Sequence, residues 1–245
     1  MSEYSVSITN DTLFDGRLIC RQHKHGYRFS VDAVLVAHFL SPDPSDKILD
    51  LGCGSGVIGL IAAFRHQGVS LVGIEVQNEL YNLAGENIIS NGLAERCSVK
   101  SGSYRHVSAL LEPESFDQVV SNPPYRQQGR GKVNPDDQKA RARHEIDSTL
   151  SDVVRAAAFA VRNRGRVVMV YPAQRSVALI TEFKKFRLEP KRIQPVYSYP
   201  GSPGASLVLI EAIKNGGEEL HLLPPFYIYT EKNGSYTDEM QQLYI

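Results

Sequence analysis

Short apolar runs bounded by glycine or polar turns recur along this chain, and between them apolar residues return at helical spacing. The runs at Ile48 to Leu51, Val69 to Glu75, Cys97 to Lys100, Phe116 to Val120, Arg166 to Tyr171, Lys191 to Val196 and Ser206 to Ile213 predict strands. Helical spacing covers Ala33 to Leu40, the stretch beyond Gly56, Gln77 to Ser90, Leu150 to Val161 and Gln174 to Phe186. Ser30 is placed to cap the first of these helices, and Asn91-Gly92 to close the third. Strands alternating with helices predict an α/β fold, a seven-stranded and mostly parallel sheet with helices on both faces. Ahead of the sheet, Asp15-Gly16 between Leu13 and Gln22 predicts a small hairpin. Residues 1–40 are therefore expected as a hairpin and helix packed on a core formed by 41–245, a single domain overall. From Asn215 onward the pattern weakens, and a short strand or extended tail packed on the domain is expected there.

Composition narrows the class. A chain of 245 residues, 42% hydrophobic and 22% charged, is long enough for one large globular domain. Lys plus Arg and Asp plus Glu balance at 27 each, so any basic surface is local and no global field draws the protein to nucleic acid or membrane. Cys20, Cys53 and Cys97 are scattered without metal-ligand spacing, which implies reduced thiols and neither a disulfide framework nor a metal site. No apolar stretch reaches the length of a membrane span, and Met1 to Asn10 is polar, so a cytoplasmic protein is expected.

The chemistry begins at Ile48-Leu49-Asp50-Leu51-Gly52-Cys53-Gly54-Ser55-Gly56-Val57-Ile58-Gly59. A buried strand, a tight glycine turn and a helix start present backbone N–H groups to a nucleotide-like ligand. Gly54 to Gly59 satisfies G-x-G-x-x-G, which by itself leaves dinucleotides and other adenosine cofactors open. Asp50 separates them: a carboxylate at the strand end sits badly beside a pyrophosphate and suits S-adenosylmethionine, which carries an ammonium and a sulfonium and no phosphate. Asp50, Gly52, Gly54 and Gly56 are accordingly cofactor candidates. Glu75 ends the next strand about 20 residues beyond the glycines, the place from which an acid reaches both ribose hydroxyls. Phe29 and Asp32, at the entry of the first helix, are placed to flank the ligand. The third strand of the sheet ends in Ser101-Gly102-Ser103, and Ser101 and Gly102 are further cofactor candidates.

Ser121-Asn122-Pro123-Pro124-Tyr125 follows the fourth strand. Two prolines end the ladder and leave carbonyls at the carboxyl edge of the sheet, where open α/β sheets bind ligands. Asn122 adds a side-chain carbonyl and Tyr125 a flat ring, a site for a planar amide or amino-aromatic group. An exocyclic amine is a poor nucleophile because its lone pair is conjugated. Acceptance of its two N–H groups by Asn122 and the Pro123 carbonyl draws the nitrogen toward tetrahedral geometry, and alignment then matters more than a strong base. Tyr125 stacks on the base, which must be extruded first if it lies within a stack. Downstream, Arg126, Arg130, Lys132, Lys139, Arg141 and Arg143 form a basic stretch predicted to order over a phosphate backbone, with Arg126, Arg141 and Arg143 the substrate-binding candidates.

These residues resemble class I S-adenosylmethionine-dependent methyltransferases, and the pairing of Asp50-Leu51-Gly52-Cys53-Gly54-Ser55-Gly56 with Asn122-Pro123-Pro124-Tyr125 resembles their N-methylating group. Gly26-Tyr27-Arg28-Phe29-Ser30-Val31-Asp32-Ala33-Val34-Leu35 and Ala142-Arg143-His144-Glu145 are similar more specifically to the tRNA1(Val) adenine-37 N6-methyltransferase family. The resemblance implies a Rossmann-like class I sandwich, S-adenosylmethionine as cofactor, Phe29 and Asp32 in its pocket, and a tRNA adenosine beside the anticodon as substrate, with a monomer expected. One departure is that relatives carry an acid after the third strand of the sheet where this chain has Ser101-Gly102-Ser103. Methylation of a release-factor glutamine uses the same Asn-Pro-Pro-Tyr geometry, but the segment before Ile48 is too short for the helical domain of that family. A ribosomal RNA guanine or a DNA adenine as target, and a non-catalytic S-adenosylmethionine- or RNA-binding module, stay open on the motifs.

Overall fold

The computed structural model describes residues 8–23, 30–124 and 149–245. Strands β1 (Ile8–Leu13) and β2 (Leu18–His23) form the expected antiparallel hairpin. Its turn is the one the Asp-Gly pair favours: Asp15 and Gly16 both have positive φ, 54° and 81°, and the Arg17 N–H closes on the Phe14 carbonyl at 3.1 Å. Helix α1 (Val31–Phe39) follows, with Ser30 at its N-cap in extended backbone. Ser30 is the N-cap as expected, although its hydroxyl makes no cap hydrogen bond.

Among the described residues the central sheet has nine strands. Seven are long: β3 (Lys47–Leu51), β4 (Ser70–Glu75), β5 (Cys97–Ser101), β6 (Phe116–Ser121), β7 (Val161–Pro172), β8 (Leu188–Tyr197) and β9 (Leu207–Lys214). Their order across the sheet is β8-β9-β7-β6-β3-β4-β5, with β9 antiparallel to both neighbours and the pairs from β7 to β5 parallel. The two further strands, β10 (His221–Leu222) and β11 (Phe226–Tyr227), are two-residue pairings on β8. They are the extended tail expected after Asn215.

Helices α2 (Val57–Arg65), α3 (Asn78–Ser90), α4 (Val107–Leu110), α5 (Leu150–Ala160) and α6 (Ser176–Lys185) connect the strands, and α7 (Asp238–Gln241) lies near the carboxyl end. Two layers of core result, because alternate residues of each strand face opposite sides. Ile48, Val120, Val168 and Val170 pack with the hairpin, α1 and α2, whereas Leu49, Leu51, Val119, Val167 and Met169 pack with α5 and α6. Helix α3 stops in a glycine C-cap: Gly92 has φ 67°, its N–H reaches Ile89 and the Leu93 N–H reaches Ile88, both at 3.0 Å.

The hairpin meets the carboxyl-terminal segment on the first layer. The Phe14 N–H donates to the Tyr244 carbonyl at 2.7 Å, and Tyr236 stacks on Tyr244 with ring centroids 5.8 Å apart. Cys20, Cys53 and Cys97 are buried thiols. Among the described residues, no helix is long and apolar enough to cross a membrane, and no cluster of three or more His, Cys, Asp or Glu side chains is placed to hold a metal.

Candidate active site

Strand β3 leaves the sheet at Leu51 into a turn built on alternate glycines. Gly52, Gly54 and Gly56 have φ of 74°, 57° and 86°, a backbone region that a Cβ disfavours, so the spacing of these residues follows from the conformation. The N–H groups of Gly52 and Cys53 share the Ile74 carbonyl at 2.9 and 3.0 Å, which fastens the turn to the end of β4. Gly56 is the N-cap of α2, and the first turn of that helix points its backbone donors out of the carboxyl edge of the sheet.

Glu75, the last residue of β4, is buried and braces the same turn. One carboxylate oxygen accepts the Gly54 N–H at 2.9 Å and the other accepts the Gln77 N–H at 2.8 Å. A carboxylate oxygen has two acceptor sites, so each retains one for a ligand hydroxyl.

Asp50 lies beneath the turn. It is fully buried, and neither of its oxygens has a hydrogen-bond partner among the described residues. Burial pushes its carboxyl up to about 8, and the like charge of Glu75 adds to the effect. It borders a cavity of about 10 Å³ shared with Cys53, Gly56, Gly73, Ala84 and Val99. An unpaired buried carboxyl next to a second acid holds its proton for want of a nearby positive charge, which a cofactor carrying an ammonium and a sulfonium supplies and a pyrophosphate does not. The residues present therefore fit S-adenosylmethionine: the turn and Glu75 for its nucleoside, with Asp50 behind them.

Asn122 leaves β6 next to this turn. Asp50 pairs with Val120 in the β3–β6 ladder, and the buried Ser121 hydroxyl donates to the Leu51 carbonyl at 2.8 Å. Gly52 and Asn122 are thus the first residues off two adjacent strands. Asn122 is half-buried, Pro123 buried and Pro124 exposed, so the chain turns outward at the second proline.

Of the other candidates, Asp32 sits in the first turn of α1 and is half-buried. Ser101 is exposed, and its hydroxyl lies 3.5 Å from the Asn78 side-chain oxygen at the start of α3. Gly102 takes φ 155° and donates its N–H to the Glu75 carbonyl at 2.9 Å; a Cβ there would lie 2.8 Å from Leu110. Ser103 accepts the Arg105 N–H at 3.3 Å and caps the 3-10 turn Tyr104–His106. Phe29, Tyr125, Arg126, Arg141 and Arg143, with the rest of the basic stretch, lie outside the described residues.

Sequence reasoning missed three contributors. Ser121 joins the two strand ends. Tyr104 covers the turn, its ring 3.6 Å from where a Gly52 Cβ would stand. Asn87 of α3 is fully buried and donates to the Ser55 carbonyl at 2.9 Å. An asparagine within a helix is a weak helix former, and its place mid-helix is a signal that could have pointed to such a contact.

Sheet order, glycine turn and unpaired acid together define the class: a Rossmann-like class I methyltransferase that uses S-adenosylmethionine. Residues 30–188 match the methyltransferase small domain family, and the chain belongs to that family. It is similar to the tRNA1(Val) (adenine(37)-N6)-methyltransferase of Porphyromonas gingivalis, 29% identical over 179 residues that cover 71% of this chain and 69% of the relative. The enzyme of the same name from Bacteroides thetaiotaomicron is 26% identical over 220 residues, 88% of this chain and 91% of the relative. Among solved structures, a protein described as a predicted O-methyltransferase from Agrobacterium tumefaciens superposes with a TM-score of 0.70 at 22% identity, covering 86% of this chain and 94% of that one. The structural likeness concerns the fold.

Proposed function

We propose that this methyltransferase acts on N6 of an adenosine in tRNA, adenosine 37 beside the anticodon of a valine tRNA. The observation that carries the reading is the emergence of Asn122-Pro123-Pro124 directly beside the glycine turn, with the Ser121 hydroxyl 2.8 Å from the Leu51 carbonyl fixing the two exits together. The names of the bacterial relatives support the choice of tRNA and of adenine N6. When bound, S-adenosylmethionine supplies an electrophilic methyl group. The Asn122 side-chain oxygen and the Pro123 carbonyl each accept one N–H of the target amine, which frees its lone pair from the ring. Both are fixed dipoles, and they stabilise the positive charge that develops on nitrogen without reorganising. The remaining acceptor sites of Glu75 take the ribose hydroxyls, Asp32 and Phe29 flank the cofactor, and Ser101 and Gly102 border its adenine. Tyr125 stacks on the extruded base, while Arg126, Arg141 and Arg143 contact phosphates in the cytoplasmic tRNA.

The test is transfer of labelled methyl groups from S-adenosylmethionine to unmodified total tRNA, followed by digestion and separation of nucleosides. N6-methyladenosine in one tRNA is expected. Label in a release-factor glutamine, in ribosomal RNA or in DNA, with none in tRNA, would overturn the reading.

A further inference from the structure

Asn87 in α3 and Asn91 at its C-cap lie one turn apart, and both face the hairpin. Asn91 accepts the Ile19 N–H at 2.9 Å and donates to the Ile19 carbonyl at 2.7 Å. Asn87 treats Arg21 in the same way, accepting its N–H at 2.8 Å and donating to its carbonyl at 3.1 Å. Four residues of helix rise about 6 Å and two residues of strand about 6.6–6.8 Å, so the carboxamides match the repeat of a strand edge. They act as two rungs on the outer edge of β2, which would otherwise present unpaired backbone groups.

The two side chains differ in one bond. The other donor contact of Asn91 stays within α3, reaching the Asn87 carbonyl at 2.7 Å. That of Asn87 leaves the helix and reaches the Ser55 carbonyl at 2.9 Å. This carbonyl belongs to the peptide joining Ser55 to Gly56, whose N–H is held by the Cys53 carbonyl at 2.9 Å. The peptide is therefore gripped from both sides, and it is the one that sets the left-handed Gly56 and with it the start of α2. Cys20, between Ile19 and Arg21, is fully buried, and burial raises its thiol while the neighbouring Ser55 side chain lowers it.

We propose that Asn87 is a positioning residue for cofactor binding: through the Ser55 carbonyl it fixes the glycine turn, and it makes the setting of that turn depend on the N-terminal hairpin. The inference rests on the glycine turn being the S-adenosylmethionine site. Asn87 satisfies both donors and its acceptor in the interior, so removal of the carboxamide leaves the Ser55 and Arg21 carbonyls short of a partner at once.

Titration calorimetry with S-adenosylmethionine on the wild type, Asn87→Ala and Asn91→Ala separates positioning from stability. Both variants lose contacts to the hairpin, and only the first loses the bond to the turn. Asn87→Ala should weaken cofactor binding about tenfold, the change that 1.4 kcal/mol produces. Asn91→Ala should stay within about twofold of the wild type. At saturating cofactor, kcat of Asn87→Ala should remain near wild type, so the loss falls on KM for S-adenosylmethionine. Equal weakening in both variants, or none in Asn87→Ala, overturns the proposal. Should Asn87→Ala fail to fold, hydrogen exchange on the wild type decides: linkage requires cofactor to slow exchange of the Arg21 amide, and an unchanged rate overturns it. A wild type that binds no S-adenosylmethionine would instead refute the cofactor reading on which this rests.

Discussion

Ser121 donates its hydroxyl to the Leu51 carbonyl, so a side chain makes the last rung between the two strands that carry the glycine turn and the Asn-Pro-Pro segment. Asn122 is aimed from a point fixed to the glycine turn. Ser121→Ala is expected to cost about 1 kcal/mol of stability and to lower kcat with KM for S-adenosylmethionine unchanged. A shift confined to thermal stability would show that the prolines alone hold Asn122 in place.

Asn122→Ala should lower turnover by about 10²–10³-fold, the usual effect of removing a fixed dipole aimed at developing charge. Cofactor affinity, measured by calorimetry, should be preserved. Near-normal turnover in this variant would rule out the amine-acceptor role.

Glu75→Gln is expected to behave almost as badly as Glu75→Ala. Both carboxylate oxygens accept a backbone N–H, from Gly54 and from Gln77, and an amide must turn an NH₂ group toward one of those donors. Loss of cofactor affinity by about tenfold or more in both variants is the outcome to look for in direct binding. Full affinity in Glu75→Gln would mean that the brace on the turn is dispensable.

Asp50 should give the protein an unusual pH dependence. Its carboxyl rises from 3.8 to about 8 on folding, so between those values the native state holds a proton that the unfolded chain has released. Stability therefore falls as pH rises across that window. His38 runs the other way, because burial and then Arg65 lower it from 6.5 to about 4, and its contribution is lost as pH falls through that range. From pH 6.5 up to about 8 the Asp50 slope is separated from that of His38. Thermal melts without cofactor should show Asp50→Asn flattening this slope and raising Tm at the alkaline end. An undiminished slope would place the titration on another group.

Gly73 faces Cys53 across the floor of the turn, and a Cβ there would stand 2.6 Å from the Cys53 sulfur. Gly73→Ala should destabilise by about 1–3 kcal/mol through overpacking. Adding Cys53→Ala should restore much of the loss, a non-additivity that chemical denaturation of the two single variants and the double variant would measure.

The sheet and the turn were legible in the sequence for a physical reason. Parallel strands buried on both faces read as unbroken apolar runs, and glycines at alternate positions mark a backbone that only they accept readily. Strands β10 and β11 carry no periodicity in two residues, and Ser30 has the right backbone for a cap without the bond that would prove it. Asp50 was legible as an acid at the strand end; its complete burial was not, since a single letter does not say which side of a turn it faces. Asn87 and Asn91 look like surface residues of a polar helix until the hairpin is placed against them.

The bond from the Phe14 amide to the Tyr244 carbonyl has a practical side for anyone producing this protein. An affinity handle fused after Ile245 begins two residues beyond the Tyr244 carbonyl that the hairpin uses. Trimming that end, or pulling on it, would therefore be felt in β1 and β2, the segment that Asn87 links to the glycine turn. Carboxyl-terminal fusions should be compared with untagged protein before any change in cofactor affinity is assigned to a mutation.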